Sequence, residues 1–124
     1  MTGSDRIVLV CTHGPEDAEE ASISLALALM AQAAAREVVL GFRGAGGLLL
    51  QKGTAERVAA PGFAPLKQII DAYVEDGGRL LIAASCLRGC RISPQALIDG
   101  VEVISGAAFT RECSTAARAA DHSG

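Results

Sequence analysis

Tryptophan is absent from these 124 residues, and the only aromatic side chains are Phe42, Phe63, Tyr73 and Phe109. Half of the residues are nonetheless apolar, so the core has to be built from aliphatic side chains and alanine. Any cluster of lysine and arginine is also missing. Together with a formal net charge of −3, that excludes a nucleic-acid footprint. The first six residues lack an apolar h-region, which argues against a secretory signal. No stretch reaches the about 18 uninterrupted apolar residues of a membrane span. The expected home is the cytoplasm, where thiols are kept reduced. Cys11, Cys86, Cys90 and Cys113 are therefore read as core fillers, reactive thiols or metal ligands, not as disulfide staples.

A chain of this length buries roughly two-thirds of its unfolded surface without staples. One domain over residues 1–124 is expected, with residues 1–5 and 120–124 frayed. Apolar runs predict strands over 6–11, 37–42, 79–84 and 101–104. Helices are predicted over 15–35, 65–77, 94–99 and 106–119, with a short one over 48–53. Pro15, Pro65 and Pro94 sit at first helical positions, where a missing N–H does no harm, and Ser93 reads as an N-cap. Strands alternating with helices mean an α/β domain, three-layer α/β/α, with a mostly parallel four- to five-stranded sheet. Between Ala21 and Ala35 there is no charge at all. A helix covering one sheet face should keep a polar stripe, so burial on a second side by another subunit is expected. Leu48-Leu49-Leu50 is read in the same way, as part of a subunit contact.

The segment from Leu80 to Pro94 concentrates the chemistry. A buried strand leads into a turn bearing Cys86, Arg88, Cys90 and Arg91, at the carboxyl end of a strand, where open α/β sheets keep their ligands. The thiolate is the reactive form, and nearby cations lower the thiol pKa from about 8.5. Arg88 and Arg91 favour that anion at Cys86; the plainer reading is a small buried hydrophobe. Cys90 lies four residues on, as a resolving thiol or as core, and C-x-x-x-C is not the redox spacing C-x-x-C. His13, in the loop after the first strand, is read either as a local hydrogen-bonding residue or as a group that orients or deprotonates the thiol. Cys11 and Cys113 are favoured as core, Cys11 with a possible supporting part at the site. Cys11, His13, Cys86 and Cys90 do not repeat at the short paired spacings of structural zinc ligands, so no metal is expected. The glycine loop Gly44-Ala45-Gly46-Gly47 fails the dinucleotide pattern at Leu49, and no organic cofactor is expected.

Several short pieces in order, namely Arg6 to Asp17, Leu50-Gln51-Lys52-Gly53, Gly62 to Leu66, Gly78 to Cys86 and Leu97 to Glu102, resemble the DsrE/DsrF-like family. The resemblance runs from about Arg6 to Phe109. It implies a three-layer α/β domain assembling as a homotrimer or homohexamer, with a hetero-oligomer of sister subunits as the alternative. It also implies sulfur handling, in which a cysteine takes sulfane sulfur from a persulfide donor protein and passes it to an acceptor thiol. Cys86 falls on the position of that cysteine. The chain departs from the family pattern at Ala83, where many relatives carry a cysteine, and at Cys90-Arg91, where many carry Arg-Gly. A C-terminal strand usual in the family is hard to find in this sequence. The expected activity is that of a sulfur carrier or sulfurtransferase-like protein, with a persulfide on Cys86 as the carrier state. The alternatives are a non-catalytic assembly or regulatory subunit, and a thiol redox sensor using Cys86 and Cys90.

Overall fold

The computed structural model describes residues 6–35 and 37–113. The expectations for frayed ends, for a C-terminal strand and for the last helix beyond residue 113 fall outside the described residues. Four strands, β1 (Arg6–Cys11), β2 (Glu37–Phe42), β3 (Arg79–Ala83) and β4 (Val101–Ile104), pair in the order β1-β2-β3-β4, all parallel. Helices α1 (Ala18–Ala31), α2 (Leu66–Glu75) and α3 (Ala84–Cys90) follow the first three strands in turn, and α4 begins after β4 over residues 106–113. The three-layer α/β/α architecture with a parallel sheet is therefore the fold of this chain.

The central strands carry apolar residues on consecutive positions because both of their faces are covered. On one face Leu40, Phe42, Leu80 and Ile82 pack beneath Leu25 of α1 and Ile70 and Tyr73 of α2. On the other, Val8, Val39, Leu81 and Ala83 pack beneath Phe109 of α4. Gly41 lets that helix close down. A Cβ there would stand 3.0 Å from the Phe109 ring and 3.2 Å from Cys113 Sγ. Tyr73 is fully buried, and its hydroxyl lies 3.0 Å from the Val38 carbonyl and 2.8 Å from that of Arg79, able to donate to either. Burial pushes the phenol pKa well above its ordinary value.

Toward the amino ends of the strands, the α4 face of the sheet turns from apolar to charged. Arg6 pairs with Glu37 at 3.3 Å, Glu37 with Arg79 at 3.0 Å, and Arg79 with Glu102 at 2.8 Å. One residue from each strand thus builds a ladder of alternating sign, and Arg6 also pairs with Glu112 of α4. The Arg79 guanidinium holds Glu102 in a fork, which keeps that carboxyl below the ordinary glutamate value.

Several expectations about the elements need correction. Helix α1 starts at Ala18, not at Pro15, because the Asp17 carboxylate accepts the Glu20 N–H at 3.1 Å and caps it. It ends at Ala31 because residues 32–34 tighten into bonds to carbonyls three residues back. The glycine loop is not a flexible turn, since Gly44–Leu50 is a continuous 3-10 helix. Leu49 and Leu50 within it are fully buried in this chain's own core, so they are not held for a subunit contact. The thiol turn is a helix, α3, and Pro94–Ala96 forms only a single 3-10 turn with no side-chain cap from Ser93.

Candidate functional site

Helix α3 leaves the end of β3 without a capping side chain and stops after seven residues at Arg91, which adopts a left-handed conformation with φ 57°. Arg91 is the sole non-glycine residue with positive φ among the described residues. In that position it lets the Ile92 N–H reach back to the Leu87 carbonyl at 3.0 Å. Helical spacing then places Cys86 and Cys90 one turn apart on the same side. Both are half-buried free thiols.

Both thiols aim at one acceptor. Cys86 Sγ lies 3.8 Å and Cys90 Sγ 3.5 Å from the Gly44 carbonyl, at the start of the neighbouring 3-10 helix. Gly47, one turn further along that helix, faces both sulfurs. A Cβ there would stand 3.2 Å from Cys86 Sγ, 3.6 Å from Cys90 Sγ and 3.0 Å from Ile82 Cδ1. Burial first, and then the neighbouring Cys86, push the Cys90 thiol above the usual cysteine range.

The sulfurs look into a cleft of about 550 Å³ at the carboxyl ends of β2 and β3. Phe42, Arg43 and Gly44 form one wall, Ala83, Ser85 and Gly89 another, and Gly106, Phe109 and Thr110 of α4 the third. The lining is apolar apart from the thiols, Ser85, Thr110 and one permanent cation, Arg43. A parallel sheet presents its ligand crevice at this edge. A second groove of about 510 Å³ contains Lys52, Lys67 and Asp71 and no thiol or histidine.

The residues singled out from sequence divide between this cleft and elsewhere. Cys86 and Cys90 come together in it. Arg88 and Arg91 are exposed and do not line it. His13 does not line it either: its Nδ1 lies 3.4 Å from Thr12 Oγ1, and β2 separates its strand from β3. Cys11 is sealed in the core with its thiol 3.3 Å from the His13 carbonyl, and burial raises its pKa. Cys113 sits against Gly41 under α4, with its thiol raised mainly by burial while Arg43 pulls it the other way. Among the described residues no three His, Cys, Asp or Glu side chains are grouped to hold a metal ion. Arg43 escaped notice in the sequence because it lies far along the chain from Cys86; only the pairing of β2 with β3 makes them neighbours.

No helix among the described residues is long and apolar enough to cross a membrane. Among solved structures, the YchN protein of E. coli superposes with a TM-score of 0.69 at 22% identity, over 86% of this chain and 90% of that one. MTH1491 of Methanobacterium thermoautotrophicum, described as a protein of unknown function, superposes with a TM-score of 0.64 at 19% identity, over 89% of this chain and 91% of that one. At such identities the likeness is one of fold. No curated protein matches the chain. The model of the DsrE/DsrF-like family matches residues 5–119, and the chain belongs to that family.

Proposed function

We propose that this chain is a sulfur carrier that holds sulfane sulfur as a persulfide on Cys86. The observation that supports this most directly is the half-buried Cys86 thiol lining an apolar cleft whose wall includes Arg43. Family membership agrees with sulfur relay. The Cys86 thiolate attacks the outer sulfur of a donor persulfide, R–S–SH. A bond forms between Cys86 Sγ and that sulfur, the donor's S–S bond breaks, and the donor leaves as a thiolate with the electron pair. An acceptor thiolate then attacks the same outer sulfur and releases Cys86. The sulfur keeps its oxidation state through both steps, so neither an oxidant nor an organic cofactor enters.

Arg43 offers a fixed positive charge on the cleft wall to the anionic sulfur species. Arg88 and Arg91, on the exposed side of α3, act at longer range on partner proteins and are screened by salt. The redox-sensor reading is the poorer one. A disulfide needs Cβ atoms about 3.5–4.5 Å apart, whereas helix neighbours four apart hold them at about 5–6 Å, so α3 would have to distort. The scaffold reading requires a sealed Cys86, yet its side chain lines the cleft.

The carrier works within a homo-oligomer. Leu27 and Met30 on α1 are 49% and 67% exposed in one chain, an apolar surface suited to a second copy. Donor and acceptor proteins then meet the cleft. Incubation with inorganic polysulfide followed by intact mass spectrometry tests the chemistry: wild type gains the mass of a sulfur atom and Cys86→Ala does not. Equal gain by the variant removes the assignment.

A further inference from the structure

Cys90 has no part in the transfer just described, yet it shares the cleft and the Gly44 acceptor with Cys86. The spacing of the two thiols suits a task other than a disulfide. Residues four apart on a helix hold their Cβ atoms about 5–6 Å from each other. A persulfide places its outer sulfur about 2 Å beyond Cys86 Sγ, and a near-attack approach adds about 3–3.5 Å. Those lengths add to the spacing that two parallel side chains one turn apart present. The helix therefore disfavours a direct sulfur–sulfur bond and accommodates a third sulfur between the two. Gly47 keeps the space beside both thiols free of a side chain.

We propose that Cys90 is a second station for the cargo, and that the sulfane sulfur passes from Cys86 to Cys90 and back inside the cleft. This rests on the carrier reading of Cys86. In the forward step Cys90 Sγ attacks the outer sulfur of the Cys86 persulfide. A Cys90 Sγ–S bond forms, the Cys86 Sγ–S bond breaks, and Cys86 leaves with the electron pair. The proton lost by the Cys90 thiol is taken up by the released Cys86 thiolate, directly or through water. Nothing is oxidised or reduced, and the products are a thiol and a persulfide as before. Moving the sulfur frees Cys86, the residue that meets the donor, and holds the cargo one turn further along α3.

Trypsin makes the exchange visible, because cleavage after Arg79, Arg88 and Arg91 separates a peptide of residues 80–88 containing Cys86 from one of residues 89–91 containing Cys90. The full chain is exposed briefly to inorganic polysulfide, desalted, sampled over time, denatured in excess alkylating reagent and digested. The extra sulfur is expected first on the 80–88 peptide and then on both, at a rate independent of protein concentration. Cys90→Ser should load at the wild-type rate and keep all the sulfur on Cys86. Cys86→Ser should load at least about tenfold more slowly, because burial raises the Cys90 thiol and leaves it less of the reactive thiolate. Sulfur that remains on the 80–88 peptide of wild type throughout overturns the shuttle and leaves the carrier intact. Sulfur on both peptides at the first time point, with Cys86→Ser loading at the wild-type rate, also overturns it. Sulfur that never reaches the 80–88 peptide overturns the carrier reading itself.

Discussion

Arg91 occupies a backbone conformation that an L side chain resists by about 1–2 kcal/mol, and it does so to end the helix that carries both thiols. Arg91→Gly removes the Cβ conflict while keeping the Ile92-to-Leu87 bond. It should stabilise the chain by about 1 kcal/mol, raising the thermal midpoint by about 4 °C. Gly47→Ala acts in the opposite direction. Its methyl would meet Ile82 Cδ1 at 3.0 Å and Cys86 Sγ at 3.2 Å, so both must give way, at a cost of about 1 kcal/mol by denaturant melting. Tyr73→Phe deletes the hydroxyl shared by the Val38 and Arg79 carbonyls. The same measurement should show a loss of about 1–2 kcal/mol. These residues also mark where the sequence stops being legible. Nothing in Cys-Leu-Arg-Gly-Cys-Arg announces a helix, because its interior holds Gly89 and its stop is an arginine where glycine is the usual signal.

The elements were legible where burial alone dictates them. Arg6–Cys11, Glu37–Phe42 and Val101–Ile104 read as strands because consecutive apolar residues have no other use in a short segment bounded by turn signals. Which strand lies next to which was not legible. Only the order β1-β2-β3-β4 places Arg43 beside the thiols and leaves His13 beyond β2. The charge ladder across the strands was equally hidden, since Arg6, Glu37, Arg79 and Glu102 reveal no partnership until the register is fixed. Glu102 stays ionised in the folded chain to a lower pH than in the unfolded one. Its contribution is therefore complete above about pH 4.3 and fades as pH falls through its folded value. Being partly exposed, it is worth no more than about 1 kcal/mol. Glu102→Gln should accordingly lower stability at pH 7 and match wild type in strong acid, which denaturant titrations at the two pH values measure.

At the scale of the whole molecule, the sheet separates its tasks by position. Ion pairs tie the amino ends of the strands on the α4 side, aliphatic packing fills the middle, and the thiol cleft opens at the carboxyl ends. Helix α1 adds an outer surface that one copy leaves bare at Leu27 and Met30. Replacing both by glutamate should reduce the mass found by light scattering, while the chain stays folded by circular dichroism, because neither side chain belongs to the single-chain core. An unchanged mass would remove these two side chains from any subunit contact. The charge-free stretch from Ala21 to Ala35 made these exposed apolar side chains legible in the sequence, and the mass in solution is what tests their part in an assembly.

The central claim concerns the Cys86 sulfur as a carrier of cargo, and cyanolysis reads it most directly. Protein exposed to polysulfide and desalted is treated with cyanide, which takes up sulfane sulfur as coloured thiocyanate. Wild type should release about one thiocyanate per chain, and Cys86→Ser only a small fraction of that after the same brief loading. Release from Cys86→Ser equal to that from wild type would contradict the account.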